Sequence, residues 1–556
     1  MSAEHPASFV KQEPLNLNPD ANIEEAEKTQ PERNASDIQE DASIDVENEV
    51  QGLKLILIHT AICICTFLVG LDVNMIATAT PVITSEFSSI QDVGWYGAAF
   101  QAALCSTQPL AGKTYVLFSK NIVYLSSLAV LEIGSLVCAL APSSNALIVG
   151  RAIAGLGASG IFAGGFVILT TIIPLHKRAI WTGTLASTFA VASIVGPVIG
   201  GALTQRVTWR WCFYINLPIG GFAAVVFLPL ARFKPAKTEQ VPFLAKVKAL
   251  DAVGFLLFAG SLIMLLLALQ WGGSTYAWNS SVIIGLFVGF AVTMALFIPW
   301  QIRLQEDALI PPRLFTSHRN AWLISSSSFL LNGPFQVIIY WLPIWFQAVL
   351  GASPTQSGVN YLPTVISDVL ASIIGSGFAM QLGYWNPFLL FGEVAVSIGG
   401  GLLSTMYPGV STGKWIGFQI FGGVGYSLAT NLAHLGMQAS LPKDLVPLGA
   451  TTLLTIISTS CAIFLAIGEA VFQRNLAVYL SEVTTPDIVQ DIISGGATNI
   501  GSVVNAADLP AIINAYSKAV TQVFYIPAAA PVISFFLVCG CKWTSTKKPA
   551  NTVAPA

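Results

Sequence analysis

Charged residues are scarce in this sequence. Asp, Glu, Lys and Arg make up only 10% of its 556 residues, whereas hydrophobic residues make up 54%. Soluble proteins carry about 25% charged residues. So little charge excludes a disordered chain and a nucleic-acid partner, and it argues against an ordinary soluble enzyme. The composition predicts an all-α polytopic membrane protein surrounded mainly by lipid.

The sequence also lacks the usual signatures of metal, nucleotide and catalytic sites. The cysteines, including the two C-x-C pairs, have no Cys or His partners at zinc-ligand spacing. A G-x-G-x-x-G string at 155–160 lies inside an apolar run with no preceding strand, where small residues favour helix packing over nucleotide binding. No ATP-binding loop, nucleophile elbow or His/Cys/carboxylate cluster stands out. We therefore predict no metal, no cofactor, no catalytic residue and no enzymatic activity.

The first 50 residues differ in charge from the rest of the chain. They contain 3 Lys/Arg and 13 Asp/Glu, a net charge of −10, whereas the remaining residues carry +7. This segment has no apolar run that could offset its ordering entropy. We predict an acidic, disordered cytosolic tail over 1–53, with no cleaved secretory signal before the first membrane helix.

Apolar runs long enough to span a bilayer occur fourteen times after this tail, since about 20 residues are needed for each crossing. They lie at 55–77, 94–113, 122–141, 146–171, 181–203, 213–231, 250–270, 281–301, 321–348, 357–379, 387–407, 414–437, 448–472 and 523–541. With the N-terminus inside, the inner segments hold 17 Lys and Arg residues and the outer loops hold five. This bias predicts that both termini are cytosolic.

The lengths of the loops suggest a division into six, two and six helices. We predict an N-terminal six-helix bundle over 54–231, a linker with two inserted helices over 232–320, and a C-terminal six-helix bundle over 321–541. The C-terminal bundle includes a long external loop, 473–522, and a cytosolic tail follows at 542–556. A loop of this length has structure of its own or covers the external mouth.

Two opposite charges are expected to meet inside the first bundle. Arg151 lies within an apolar run, where an unpaired guanidinium is costly and marks a functional site by default. Asp72 lies 18 residues beyond Lys54, about 27 Å along a helix, and so at a similar depth. We predict that they pair and that movement of either helix loads or releases a proton at this site, with a static packing pair as the alternative.

Glycine and proline form a pattern on the fifth predicted helix. It comprises Gly183, Gly196, Pro197, Gly200 and Gly201, and the string 209–220 follows on the far side. Small residues and a missing backbone donor predict a thin, kinked helix on which two bundles pack and rock.

These strings together identify a family resemblance. The chain resembles the fourteen-helix drug:proton antiporters of the major facilitator superfamily, especially fungal toxin-efflux pumps. The strings that carry the match lie at 71–81, 95–97, 112–113, 147–155, 196–201, 209–220, 251–255, 270–273, 342–347 and 357–358. The resemblance implies the major facilitator fold with two pseudo-symmetric bundles. It also implies that Gly112, like the glycines and the proline of the fifth helix, belongs to a motif that takes part in the conformational change.

Three positions depart from the family pattern. Ala192 stands where the antiporter motif usually has another glycine, so the packing there is expected to be looser. Val116 and Leu117 replace the usual acid and first arginine after the second helix, which argues against a charge-relay latch there.

Other carboxyl groups in apolar runs are candidates for a substrate cavity. They are Glu132, Asp368, Glu393 and Glu469. Helix counting places Glu132 and Asp368 near mid-depth and Glu469 near the outer end, so the first two rank ahead of Glu469. A packing role is the alternative for each. Asn279 begins a glycosylation sequon on a predicted external loop.

The predicted function is proton-coupled export of amphipathic organic compounds, such as drugs, toxins or secondary metabolites, by alternating access. The resemblance supplies the direction and the coupling. The partners are then a small substrate, protons and lipids, with a monomeric chain in the plasma membrane or a vacuolar or vesicle membrane. Alternatives are uptake or vacuolar transport of siderophores, basic amino acids or small cations, or a non-transporting membrane sensor.

Overall fold

The computed structural model describes residues 50–87, 89, 92–230, 242–273, 276–442, 445–485, 489 and 508–547. All of these residues belong to one compact unit, Asn48–Ala556. The predicted acidic tail lies outside the described residues except for its last four positions. Within the described part of the chain, the structure is helical, with only isolated β-bridges.

The described residues include fifteen helices longer than ten residues. In chain order they are α1 (Gly52–Phe87), α2 (Val93–Leu117), α3 (Lys120–Ala139), α4 (Ser144–Ile172), α5 (Leu175–Arg206), α6 (Asn216–Leu230), α7 (Ala252–Trp271), α8 (Ser281–Leu304), α9 (Arg319–Leu350), α10 (Pro354–Leu382), α11 (Asn386–Leu403), α12 (Thr412–Ser440), α13 (Val446–Ser481), α14 (Leu509–Val523) and α15 (Tyr525–Cys539). Short helices precede α6, α7 and α9, at Trp211–Tyr214, Phe243–Lys248 and Arg313–Thr316.

Every one of the fourteen predicted runs coincides with one of these helices, the last with α15. Twelve helical segments of the described chain are long and apolar enough to cross a membrane. The helices outside that set are α2 and α12. Both carry buried polar side chains, such as Gln108 in α2 and Gln419 and Asn431 in α12. These side chains lie inside the protein, so they lower the apolarity of the helix without facing lipid.

The predicted external loop at 473–522 is shorter than expected. Helix α13 continues to Ser481, and α14 begins at Leu509. Hydropathy stops at polar residues such as Gln473 and Arg474, but a helix can continue beyond the apolar layer because its backbone hydrogen bonds are internal.

Two halves of the chain pack by the same scheme. In the first half, α1 contacts α5 and α6, α4 contacts α2 and α3, and α3 contacts α6. In the second half, α9 contacts α13 and α15, α12 contacts α10 and α11, and α11 contacts α15. Helices α7 and α8 pair with each other between the halves. The contacts thus relate α1–α6 to α9–α13 and α15 as two copies of one arrangement.

The contacts between the halves are also reciprocal. Helix α5 packs against α10 and α12, and α13 packs against α2 and α4. We call the end at which α1 begins and α15 ends the termini end, and the opposite end the loop end. Near the termini end, Phe166 of α4 stacks on His434 of α12 with ring centroids 4.5 Å apart. The two halves are therefore closed against each other at the termini end.

Candidate functional site

The structure brings Asp72 and Arg151 together as a buried ion pair between α1 and α4. A guanidinium nitrogen of Arg151 donates to Asp72 Oδ2, and both side chains are only 1% exposed. Arg151 Nε also donates to the carbonyl oxygen of Tyr96, at 2.8 Å, and the guanidinium lies 4.5 Å from the centroid of the Phe100 ring. Two acceptors and an aromatic face offset the cost of burying this charge.

Two further polar side chains complete the cluster from α3 and α6. Asn216 Nδ2 donates to Asp72 Oδ1 at 3.2 Å and to Ser135 Oγ at 3.0 Å, and both residues are fully buried. Asp72 therefore accepts hydrogen bonds through both carboxylate oxygens. Removal of the negative charge would weaken both contacts at once, so the charge of Asp72 controls packing among α1, α3, α4 and α6.

Glu132 lies one helical turn from Ser135, beside this cluster. Its side chain faces α6, where a Cβ at position 220 would meet the carboxylate unless the side chain of Glu132 moved. Both carboxylate oxygens are buried and have no hydrogen-bond partner among the described residues. The structure thus places Glu132 with the ion pair rather than in an open cavity.

One turn of α2 connects the ion pair to a cavity. Tyr96 and Phe100 face Arg151, whereas Gly97, Ala98 and Gln101 line a cavity of about 560 Å³ on the other side of the same helix. The first turns of α2 and the second half of α13 both contribute to its wall, so the cavity lies toward the loop end. A change at Arg151 can therefore act on the cavity wall through a single helical turn.

Glu469 is the one predicted carboxyl residue that lines this cavity. It projects from α13, and Gln473 Nε2 donates to its Oε1 at 2.7 Å. Helix counting ranks Glu469 below Glu132 and Asp368 as a substrate-cavity residue, and that ranking stays a prediction, but of the three only Glu469 lines this cavity. Depth along a helix does not show which face of the helix meets the cavity.

Glu393 lies in a closed junction of the second half. Its side chain is fully buried, and Oε1 accepts hydrogen bonds from Ser327 Oγ at 2.9 Å and from Ser534 Oγ at 2.6 Å. Oε2 is buried without a partner in the described part of the chain. Its contacts tie α9, α11 and α15 together and place it away from the cavity.

Asp368 is half-buried on α10, and its backbone carbonyl accepts a hydrogen bond from Ser427 Oγ at 2.7 Å. Its carboxylate interacts electrostatically with Tyr426, whose ring stacks on Phe335 at a centroid distance of 4.0 Å. These groups face the interior of the second half and do not belong to the lining of the 560 Å³ cavity.

The antiporter-type glycines serve mainly one half of the molecule. A Cβ at Gly196 would lie 2.8 Å from Asn74 Cβ, and one at Gly200 would lie 2.6 Å from Thr78 Oγ1. Both contacts are with α1, whereas a Cβ at Gly201 would have no atom within 4 Å. Pro197 lies within α5 without ending it. Gly196 and Gly200 therefore pack α5 onto its own half, while α5 as a whole also packs against α10 and α12 of the second half. The conformational role of this motif stays a prediction.

Other glycines do lie between the halves. A Cβ at Gly183 would approach Ser372 Oγ of α10 to 2.5 Å, and a Cβ at Gly112 would approach Thr451 Cβ of α13 to 2.8 Å. These close approaches help to seal the termini end.

The expected looseness at Ala192 is absent. Its side chain is fully buried against Gly70, where a Cβ would lie 2.5 Å from Ala192 Cβ. The glycine of this contact lies on α1 and not on α5, and the packing stays close.

A lysine contact holds the end of α2, where the acid and the arginine of the family's charge-relay latch are replaced. Lys113 Nζ donates to the backbone carbonyl of Asp307, which follows α8. This contact anchors the inserted pair of helices to the first half at the termini end.

At the loop end, the start of the 209–220 string is bound to α1. Trp209 Nε1 donates to Glu86 Oε2 at 2.6 Å, and Arg210 Nη1 donates to Glu86 Oε1 at 2.9 Å. The hydrogen bond from Trp209, together with Arg210, holds the pKa of Glu86 below its ordinary value. This carboxylate stays ionised at neutral pH and fixes the segment that leads to Asn216.

Asn279 is exposed between α7 and α8, next to Trp278 at the rim of the cavity. The following Ser280 caps α8 by accepting from the amide of Ile283 at 3.3 Å. Modification of Asn279 stays a prediction.

Sequence reasoning missed Ser135 and Asn216. Asn216 belongs to a string that resembles the family, so that string was the available signal, but nothing in the sequence pointed it toward Asp72.

Comparisons with known proteins agree with this arrangement. The family model of the Major Facilitator Superfamily matches residues 62–468. The chain is 42% identical to "Efflux pump roqT" of Penicillium rubens over 88% of this chain and 91% of the relative. It is 39% identical to "MFS-type efflux pump MFS1" of Arthroderma benhamiae over 90% of this chain and 93% of the relative.

Solved structures share the fold at low sequence identity. The proton:xylose symporter XylE superposes with a TM-score of 0.57 at 12% identity, covering 89% of this chain and 97% of the symporter. With its apolar helices, the chain is a multi-pass membrane protein and a transporter rather than an enzyme. The chain belongs to the Major Facilitator Superfamily.

Proposed function

We propose that this protein exports amphipathic organic compounds across a membrane in exchange for protons, by alternating access. The observation that carries the proposal is the cavity between the two halves, which lies one helical turn from a buried Asp–Arg pair. Relatives that are named efflux pumps and cover nearly the whole chain support the direction of transport.

The cavity suits an amphipathic compound. Most of its lining consists of leucine, alanine and glycine, with a few polar groups such as Gln101, Gln270 and Glu469. Sites for small organic molecules combine an apolar lining with a few directional polar groups. A volume of about 560 Å³ is within the range of such sites.

Proton coupling is assigned to Asp72. Protonation removes the charge that holds Arg151 and Asn216, so Arg151 keeps only its contact with the carbonyl of Tyr96 and its aromatic neighbours. The turn of α2 that carries Tyr96 also carries Gly97 of the cavity wall. Loading of a proton and release of substrate are thereby linked through a short path. Glu132, beside the pair, is proposed to share in this proton transfer.

The proposal includes a topology with fourteen membrane crossings and both termini in the cytosol. The excess of Lys and Arg at the termini end supports it. The closed termini end and the cavity near the loop end then correspond to a state that faces outward. The plasma membrane is the proposed location, with the chain acting as a monomer.

The test uses purified full-length protein in liposomes with an acidic interior. Antiport predicts that rhodamine B ethyl ester or rhodamine B accumulates inside as protons leave, because export of protons drives import of dye in either protein orientation. A proton ionophore should abolish the accumulation, and protein-free liposomes set the baseline. If neither dye responds to the gradient above that baseline, proton-coupled transport of amphipathic dyes is rejected.

A further inference from the structure

The charge of the cavity wall is one-sided. Among the described residues that line the cavity, Glu469 is the only charged one, and no Lys, Arg or His is among them. Gln473, which donates to Glu469 Oε1 at 2.7 Å, fixes the carboxylate at the wall without neutralising it. A ligand with a positive group would meet an oriented counter-charge, whereas an anionic ligand would meet repulsion.

Aromatic side chains extend this site on two sides. Tyr340 of α9 lines the cavity close enough to Glu469 to interact with it electrostatically. Trp278, from the connection between α7 and α8, lines it as well. Aromatic faces attract cations and give flat organic groups a large contact area.

Helix α7 and the connection that follows it form a substantial share of the wall. Their contributions to the lining are Leu266, Leu269, Gln270, Gly272, Gly273 and Trp278. Trp271 of α7 packs edge-to-face on Trp95 of α2, with centroids 5.4 Å apart, and holds this wall in place. Helix α7 and this connection are thus part of the cavity and not only a spacer between the halves.

We propose that this cavity is a subsite for the cationic group of an organic substrate, with Glu469 as the counter-charge and Trp278 of the inserted pair as an aromatic wall. The inference rests on the proposed transport function and adds a substrate class to it. It assigns Glu469 to ligand binding and leaves proton coupling to the Asp72 cluster.

The experiment measures binding, so that it is separate from transport. Purified full-length protein in lipid nanodiscs is titrated with rhodamine B ethyl ester, which is a net cation, and with rhodamine B. Rhodamine B has the same cationic ring system but a free carboxylate in place of the ethyl ester, so Glu469 both attracts its ring and repels its carboxylate, and the two effects offset each other. We expect Glu469→Gln to weaken binding of the ester about tenfold and to change binding of rhodamine B less than about twofold. Glu469→Asp should retain most of the preference for the ester.

A matched control is available on the same helix. Glu482 is exposed at the end of α13 and outside the cavity, so Glu482→Gln should leave both affinities unchanged. Trp278→Leu should weaken binding of the ester about threefold, and Trp278→Phe should restore most of the loss.

Three results would overturn the inference. The first is a wild-type protein that binds neither dye or prefers rhodamine B. The second is an equal loss of affinity for both dyes in Glu469→Gln. The third is no loss of affinity for either dye in that variant. The first excludes a cationic subsite, the second makes Glu469 a packing or proton-binding residue, and the third moves the binding site elsewhere. Charge-selective binding without proton-driven accumulation would instead reject the proposed function and leave the subsite standing.

Discussion

The two halves of the molecule use the same helix junction for different chemistry. In the first half, Asp72, Ser135 and Asn216 join the first, third and sixth helices. In the second half, Ser327, Glu393 and Ser534 join the corresponding three helices. Each junction contains a buried carboxyl group, but among the residues that the structure describes only the first has a cation.

The junctions also lie at different levels. Asp72 is 20 residues from the start of α1, about 30 Å along the helix axis, whereas Ser327 is eight residues from the start of α9, about 12 Å. The charged junction is therefore near the cavity, and the hydroxyl-lined junction is near the closed end. Repetition of the fold fixed where helices meet, but not which charges are placed there. We expect protons to act mainly through the first half.

The largest effect should come from Asp72→Asn. The substitution leaves Arg151 buried without its counter-charge, and breaking such a pair costs about 3–5 kcal/mol. We expect proton-driven accumulation of rhodamine B ethyl ester in liposomes to fall about a hundredfold or more, per molecule of folded protein.

The double variant Asp72→Asn with Arg151→Gln is the control for folding, because removing both charges avoids an unpaired one. It should raise the yield of folded protein without restoring accumulation. Restored accumulation would show that the pair only packs the helices and would remove the distinction between the halves.

An intermediate effect is expected for Asn216→Ala. The variant loses hydrogen bonds to both Asp72 and Ser135, one of them to a charged acceptor, so transport should fall about tenfold. Its counterpart Ser534→Ala removes one hydroxyl donor to Glu393 and should lower transport about threefold or less. If the two variants, measured side by side, lost the same share of transport, the two junctions would contribute alike to transport.

The smallest effect should come from Glu393→Gln. The amide oxygen can still accept from Ser327 and Ser534, so accumulation should stay within about threefold of the wild type. The same assay over a pH series should give an unchanged profile. A loss as large as that of Asp72→Asn, or a displaced pH profile, would make Glu393 a second proton site.

The sequence predicted the family and the positions of the helices because apolar length and the motif strings are local features. The family prediction is confirmed by the relatives and by the family model. The meeting of Asp72 and Arg151 was also predictable, since a fixed rise per residue sets depth in a helix.

Rotation of a helix about its axis was harder to predict. It decides that Asn216 reaches Asp72, that Glu469 faces the cavity, and that Gly196 faces α1. Rotation depends on packing against several neighbouring helices at once. A helix that is apolar on most of its faces shows no polar stripe in the sequence, so the sequence alone does not reveal its rotation. The domain boundaries and the role of each carboxyl group stay predictions.

The position of α7 has a consequence for how a compound enters. This helix packs against α2 of the first half and, less extensively, against α13 of the second. If the halves tilt during transport, we expect the larger contact to keep α7 with α2. A seam would then open between α7 and α13, from the cavity to the surrounding lipid. A compound dissolved in the bilayer would have a sideways route into the protein and would not need to pass through water first.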